Sequence, residues 1–307
     1  MIKNVLITGG TGFIGSNLMT QLLKNDFNII LLKRSFSNTE RINDILPKIK
    51  FYDIDKIDLL DIFKKEKIDL VINLATFYKK FDSYSDIETI FNANLIYGAK
   101  ILELMGIFGI KNIINTGSFF EYSYSKSQVK ENSDKTNPLN IYGVSKVLFE
   151  NMLTFYSKKY NIKSVTLRLF YPYGERDNKN KLIPHIISNA LADKEIRILN
   201  PNQIIDFIYI KDVVSAYIKT INNFSSLKSK NTAINIGSGK FFSVQEIIDT
   251  IEKLIGKKLN IIVEKNNNED PKFSYSNINL AKKIISWQPE YSLSDGLKET
   301  IEYYKNQ

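Results

Sequence analysis

The stretch "NIYGVSK" at residues 140–146 sets a phenol and an ammonium four positions apart, Tyr142 and Lys146, in a helical pattern. That spacing puts both side chains on one face. A tyrosine ordinarily titrates at about pH 10. A neighbouring cation favours the phenolate, so the pair can deliver or remove a proton near neutral pH. In a chain with 17 tyrosines such a pair can also be an ordinary surface contact. The hydroxyls of "NTGS" (115–118) tilt the balance, because they close an apolar run upstream. Thr116 is the first choice for polarising a substrate carbonyl and Ser118 the second; their bland alternative is closing a turn.

A second chemical signal stands at the N-terminus. In "ITGGTGFIG", Gly9, Gly12 and Gly15 are spaced three apart, between a strand pattern and a helical one, and Gly10 adds a G-x-G-x-x-G reading. Glycines there permit a tight turn and close approach of backbone to a pyrophosphate. The helix N-terminus beyond them offers unpaired N–H groups and partial positive charge. A dinucleotide site is the expectation. The next strand ends in Lys33 and Arg34, followed by Ser35 and Ser37, in "IILLKRSFSN". An acidic residue at that place suits a free ribose 2′-hydroxyl, whereas cations suit a 2′-phosphate. NADP(H) is therefore favoured, with NAD(H) kept possible. A bound oxidised nicotinamide ring would add its positive charge to that of Lys146 in favouring the Tyr142 phenolate.

The elements that must position these groups alternate along the first 170 residues. "NVLIT" (4–8), "NIILL" (28–32), "IKFYD" (49–53), "DLVINLA" (69–75), "NIINTGS" (112–118) and "SVTLRLF" (164–170) are near-continuously apolar, as strands buried on both faces are. Helical spacing fills 13–25, 85–106 and 141–160. The pattern predicts an α/β fold with a Rossmann-type, doubly wound parallel sheet. Its ligand edge is the carboxyl end of the strands, where Thr116 and Ser118 fall. After "YPYGERDNKNK" (171–181) the pattern loosens. Helices are expected over 181–194, 243–258 and 292–306, and strands over 204–210 and 232–237. The division expected is a dinucleotide-binding domain at 1–170, with 204–237 returning to it, and a smaller substrate lobe at 171–307.

Bulk properties narrow the classes. The 307 residues can bury a sizeable core. There is no cysteine, which excludes disulfides, thiolate metal sites and a cysteine nucleophile, and suits a reducing cytoplasm. No leader pattern precedes the first strand, and no apolar run reaches the roughly 18 residues a membrane span needs. The net charge of +9 is scattered, with no basic patch interleaved with aromatics. Neither nucleic-acid nor membrane partners are expected. The lone His185 has no companion at ligand spacing, so no metal is expected. Trp287 in "SWQPEY" reads as a packing anchor.

These features together resemble the extended short-chain dehydrogenase/reductase family, the group of nucleotide-sugar epimerases, 4,6-dehydratases and 4-ketoreductases. "TGGTGFIG", "NLAT", "NTGSFF", "YGVSK", "LRLFYPYG", "KLIP", "IIDFIYIKDVVSAY", "NIGSG" and "SWQPEYSLSDGLKETIEYY" carry the resemblance along the whole chain. It implies a catalytic trio of Thr116, Tyr142 and Lys146. It implies that Gly9, Gly12, Phe13, Ile14 and Gly15 hold the cofactor diphosphate, and Asp53 and Ile54 the adenine. Leu74, Ala75, Thr76 and Asn94 would line the cofactor, with Lys33 and Arg34 at its ribose. It further implies a nucleotide-diphosphate sugar as substrate, touched by Ser118, Tyr171 and Lys181, and a homodimer through a four-helix bundle built from 84–106 and 141–160.

Departures from the family pattern are informative. Dehydratases carry Thr-Asp-Glu where this chain has Thr116, Gly117 and Ser118, so removal of water is not expected. The usual Arg-Asp pair is Ile205 and Asp206, and a second arginine is missing near "NNNEDP" (266–271). Arg176, Lys181 and Lys272 are the cations that can compensate. The chain is most similar to bacterial reductases of CDP-4-keto-6-deoxy sugars, of the CDP-abequose synthase type. The expected reaction is NADPH-dependent reduction at C4 in making sugars for surface polysaccharide such as O-antigen. An NAD-dependent 4-epimerase is the alternative.

Overall fold

Seven of the apolar runs lie side by side in one parallel sheet. β1 (Asn4–Thr8), β2 (Asn28–Lys33), β3 (Lys50–Asp53), β4 (Leu70–Asn73), β5 (Asn112–Ser118), β7 (Lys163–Leu169) and β12 (Asn231–Ile236) run in the order β12-β7-β5-β4-β1-β2-β3. The computed structural model describes residues 2–79, 83–124, 127–131, 134, 136–227, 229–264 and 274–307. The strand order reverses between β1 and β4, which opens a crevice at their carboxyl ends. The sequence expectation of a Rossmann-type α/β fold holds.

Alternation along each strand feeds two cores. Val5, Ile7, Leu31, Ile72 and Ile114 pack with Leu18 and Leu22 of α1 (Phe13–Lys24) and Val213 and Tyr217 of α7 (Ile210–Asn223). Leu6, Ile30, Val71 and Ile113 pack with Ile101 and Met105 of α4 (Tyr97–Ile107) and Phe149 and Leu153 of α5 (Ile141–Tyr160). Each fully buried aliphatic side chain contributes about 1.5–3 kcal/mol relative to exposure. The layers are fixed on both sides of the sheet, and with them the edge that bears Thr116 and Ser118.

The second helical pattern is not continuous. α3 (Ile87–Phe91) passes into α4 through a π-helical turn, Asn92–Ile96. The extra residue in that turn accompanies an inward Asn94, and such turns concentrate at functional places. α2 (Leu59–Lys65), capped by Asp58, connects β3 to β4.

Beyond residue 170 the strands are short. β8 (Pro172–Tyr173) pairs with β11 (Ile208–Tyr209), β9 (Ile196–Ile198) with β14 (Ile261–Val263), and β10 (Ile204–Ile205) with β13 (Phe242–Ser243). β6 (Gln128–Val129) pairs with β15 (Tyr275–Ser276). The single strand expected over 204–210 is therefore corrected. It breaks at Asp206, and Ile210 already opens α7. Asp206 turns inward and accepts from Ser238 N and Oγ and from Ser276 N and Oγ, at 2.6–2.8 Å. α6 (Leu182–Leu191), α8 (Val244–Ile255), α9 (Asn279–Ile285) and α10 (Leu293–Lys305) complete this part. α8 and α10 start in reciprocal caps, Ser243 with Glu246 and Ser292 with Asp295. Trp287 is buried and donates to Asp212 O and Ser215 Oγ. No helix among the described residues is long and apolar enough to cross a membrane.

Candidate active site

The crevice begins at the glycine turn. Gly9 has φ +68°, and a Cβ there would sit 2.6 Å from Ala75 N. A Cβ on Gly15 would strike Gly9 O at 2.4 Å, so the helix can press on the turn only without one. Gly12 caps α1 with no side chain, and Phe13 and Ile14 form its first turn. The helix therefore presents backbone N–H groups and the positive end of its dipole to the crevice. A cradle open only to backbone fits a diphosphate.

At the far corner, Lys33 and Asp53 end adjacent strands in register. Arg34 is not a free cation. Its Nε pairs with Asp55 Oδ1 at 2.7 Å and its guanidinium stacks over Phe36. Asp53 accepts from Ser35 Oγ at 2.6 Å, and that bond, with Lys33 and Lys56 nearby, holds its carboxyl below the ordinary range. Ile54 N donates to Lys33 O. Two carboxylates thus accompany the two cations expected at the ribose.

A buried polar line crosses the sheet behind the crevice. Thr8 Oγ1 donates to Asn73 Oδ1 and accepts from Leu74 N and Ala75 N. Asn73 Nδ2 donates to Asn115 Oδ1 at 3.2 Å. Asn94 is the other clamp. Its Oδ1 accepts from Thr76 Oγ1 and Phe77 N, and its Nδ2 donates to Phe77 O and to Ser145 Oγ at 3.0 Å. Ser145 in turn donates to Tyr142 O. Asn94 therefore ties the loop 74–77 to the start of α5.

Tyr142 and Lys146 are both buried on one face of α5. Lys146 Nζ lies 5.6 Å from the Tyr142 ring centroid and donates to Thr116 O at 3.0 Å. Burial lowers this ammonium to about 8, with Glu121 working the other way. Burial pushes the Tyr142 phenol up to about 12, while hydrogen bonding with Thr76 and Ser118 works against the rise. Desolvation therefore favours the phenol, the form that can donate a proton.

Thr116 and Ser118 differ in their surroundings. The Thr116 hydroxyl shares a 2.6 Å hydrogen bond with Tyr217 Oη, on α7, and both are buried. Only its carbonyl oxygen faces Lys146. Thr76 and Ser118 are the hydroxyls coupled to Tyr142, and Ser118 also caps the turn Phe119–Glu121 by accepting from Phe120 N. The residues that follow it, Phe119 and Phe120, supply neither acid nor base.

Aromatic rings wall this corner. Tyr78 and Phe120 meet the Tyr142 ring edge-on, at centroid distances of 4.9 and 5.8 Å. Phe119 lies 4.2 Å from Tyr171, which also leans on Phe207. An open cleft of about 480 Å³, lined by Ser83, Ile87, Leu139, Asn140 and Val144, adjoins the start of α5. Lys181 pairs with Asp177 at 2.9 Å and lies over the Phe13 ring. Arg176 is turned to α1, reaching Thr20 Oγ1 and Asp44, so it does not replace the missing arginine. Lys272 and the "NNNEDP" stretch lie outside the described residues.

Sequence reasoning missed Tyr217, Ser145 and Glu121. The last was readable as a lone charge inside "GSFFEYS", an apolar and hydroxyl-rich setting. Tyr217 carried no signal of its own, because only the packing of α7 brings it to β5.

Known proteins agree with this architecture. CDP-abequose synthase of Salmonella muenchen is 28% identical, with 97% of each chain covered. A putative UDP-glucose 4-epimerase of Methanocaldococcus jannaschii is 32% identical, with 98% of each covered. The crystal structure of UDP-glucuronic acid 4-epimerase from Bacillus cereus, in complex with UDP-glucuronic acid and NAD, superposes with a TM-score of 0.86 at 28% identity over 99% of each chain. The profile of the NAD dependent epimerase/dehydratase family matches residues 5–237. With that match spanning most of its length, the chain belongs to the NAD dependent epimerase/dehydratase family.

Proposed function

We propose that the protein is an NADPH-dependent reductase of the C4 ketone of a nucleotide-linked 4-keto-6-deoxy sugar. The observation that carries the reading is the buried cluster of Tyr142, Ser118 and Lys146 at the carboxyl edge of the sheet. Bound NADPH supplies the hydride that adds to C4. Tyr142, held as a neutral phenol, gives its proton to the oxygen that becomes negative. Ser118 donates a hydrogen bond to the same oxygen. Lys146 then stabilises the Tyr142 phenolate until a solvent proton restores it. Only contacts that tighten as the oxygen gains charge speed the step.

The substrate class is supported by the wall. Tyr78, Phe119, Phe120 and Tyr171 offer rings to the sugar-facing corner, which suits a methyl at C6 better than a hydroxyl or carboxylate. The NADP choice is supported by Lys33 and Arg34. The similarity to CDP-abequose synthase supports a reductase in sugar synthesis. A cytoplasmic location goes with this reading, and so does the division into a cofactor lobe and a substrate lobe.

A homodimer is part of the proposal. Ile96 and Ile107 are exposed on the 92–107 segment, and Leu148 and Phe155 on α5, an apolar stripe on two adjacent helices. Light scattering should give twice the monomer mass, and a Phe155→Glu variant should lower it.

A second reading, a 4-epimerase with retained NAD, is favoured by two observations. Arg34 is already neutralised by Asp55, and NAD appears in the structures of similar proteins. Identifying the dinucleotide that co-purifies separates the two. NAD that survives dialysis, with interconversion of C4 epimers, would overturn the reductase.

A further inference from the structure

Under the turn that carries Ser118 lies a buried ion network. Glu121 is fully buried. Its Oε1 accepts from Ser118 N at 2.7 Å and its Oε2 from Arg168 Nε at 2.8 Å. Arg168 also reaches Glu150, through Nε at 3.0 Å and Nη2 at 2.6 Å, and donates from Nη1 to Tyr122 Oη. Tyr122 passes the chain to Asn235 Oδ1 at 2.9 Å. Glu150 stands on α5, one turn beyond Lys146 and two beyond Tyr142. The network therefore joins the Ser118 turn, strand β7 and the helix of the reacting pair.

Gly117 makes room for it. A Cβ at that position would lie 2.6 Å from Glu121 Oε1 and 2.7 Å from Thr166 Cγ2. Stability alone is a poor explanation for such a group. A fully buried carboxylate and a partly exposed one share one buried guanidinium, and apolar residues of similar volume commonly stabilise a core as well as a buried ion pair does. What the carboxylate does provide is a fixed seat for the Ser118 backbone and a negative charge near Lys146.

We propose that Glu121 is a positioning residue for proton transfer: it holds Ser118 at the distance from Tyr142 that the reaction needs and, through Arg168, ties that turn to the helix carrying Lys146. The inference rests on reading Tyr142, Ser118 and Lys146 as the proton-transfer centre. The groups facing Glu121 are Arg168 from β7 and Glu150, Lys146 and Tyr142 from α5, with Tyr122 adjacent and Glu131 facing Arg168 from the following loop. Desolvation and the nearby Glu150 raise the Glu121 carboxyl, against Arg168. Its negative charge raises both Lys146 and Tyr142. Removing it lowers both, so the alkaline limb of activity moves to lower pH.

Two substitutions separate the parts. Glu121→Gln keeps an acceptor for Ser118 N but removes the charge. Glu121→Leu removes both. Turnover is followed by NADPH absorbance with CDP-linked 4-keto-6-deoxyglucose across pH, beside wild type and Tyr142→Phe, and tyrosinate ultraviolet titration, wild type minus Tyr142→Phe, gives a substrate-free readout. Expected for E121Q is an alkaline limb about half to one pH unit lower, with plateau kcat changed less than about threefold. Expected for E121L is the same shift with kcat at least about tenfold lower and KM held within about twofold. Wild-type limb, titration and kcat in the Glu121 variants, with Y142F inactive, would overturn the inference alone. Full turnover in Y142F would overturn the reading beneath it as well. Should E121L fail to fold, the limb and titration of E121Q still decide.

Discussion

The two ends of the crevice handle charge in opposite ways. At the β2–β3 corner, Lys33, Arg34, Asp53 and Asp55 sit at the surface, and the Arg34 side chain is about half exposed. At the β5–α5 corner, Lys146, Tyr142, Glu121 and Arg168 are buried. Exposed pairs are screened and individually weak. Buried groups shift their proton affinities strongly, as Lys146 and Tyr142 do. On the proposed reading, the difference teaches that one corner would choose between cofactors by small increments, whereas the other would set whether the chemistry proceeds at all.

The largest test of that contrast is Tyr142→Phe. Loss of the acid should lower kcat about 10²–10⁴-fold, with KM for the dinucleotide little changed. Circular dichroism should show the fold retained, since the ring contacts with Tyr78 and Phe120 survive. Next is Ser118→Ala, expected to lower kcat by about 10²-fold, the scale of one lost donor to a developing oxyanion. Thr116→Val should cost far less than Ser118→Ala, because its hydroxyl serves Tyr217. Equal losses in the two variants would return Thr116 to the reacting group.

A pH profile sharpens the comparison. Lys146 is lowered to about 8 in the unliganded chain. Below that pH it is a cation beside Tyr142, and above it the charge is lost. kcat/KM, which reports the free enzyme, should therefore fall as pH rises through about 8. A flat profile from pH 7 to about 10, the ordinary tyrosine range, would remove Lys146 from the mechanism.

The smallest effects belong to the exposed corner. Lys33→Ala or Arg34→Ala should raise KM for NADPH by less than about tenfold and leave kcat in place. Added salt should shrink the difference further. Asp55→Asn frees Arg34 and should favour NADPH over NADH in kcat/KM. If instead NADH is the better cofactor in wild type and none of these changes matters, the corner does not read a 2′-phosphate.

What was legible in the sequence follows the same divide between local and distant. The seven sheet strands could be read because burial on both faces leaves an apolar run in one place. The glycine turn could be read because its steric demands are met within seven residues. The break at Asp206 could not, since it depends on Ser238 and Ser276, far along the chain. The bond between Thr116 and Tyr217 was hidden for the same reason. Thr116 and Ser118 are two apart on β5, and only α7 arriving with Tyr217 tells their surroundings apart. The π-helical turn at Asn94 was masked by a helical pattern that looks unbroken, because one inserted residue barely disturbs apolar spacing. Proton affinity was the last illegible property. Lys146 next to Tyr142 suggests a more acidic phenol, whereas burial pushes it up to about 12, and spacing does not carry depth.

The most direct test is NADPH oxidation with UDP-, CDP-, GDP- and dTDP-linked 4-keto-6-deoxy sugars, run with wild type and Tyr142→Phe side by side. The account predicts that at least one of them consumes NADPH one for one with the alcohol formed, and that the variant loses about two or more orders of magnitude in rate. No NADPH consumption with any of the four, together with NAD-dependent interconversion of C4 epimers of a UDP-sugar, would contradict it.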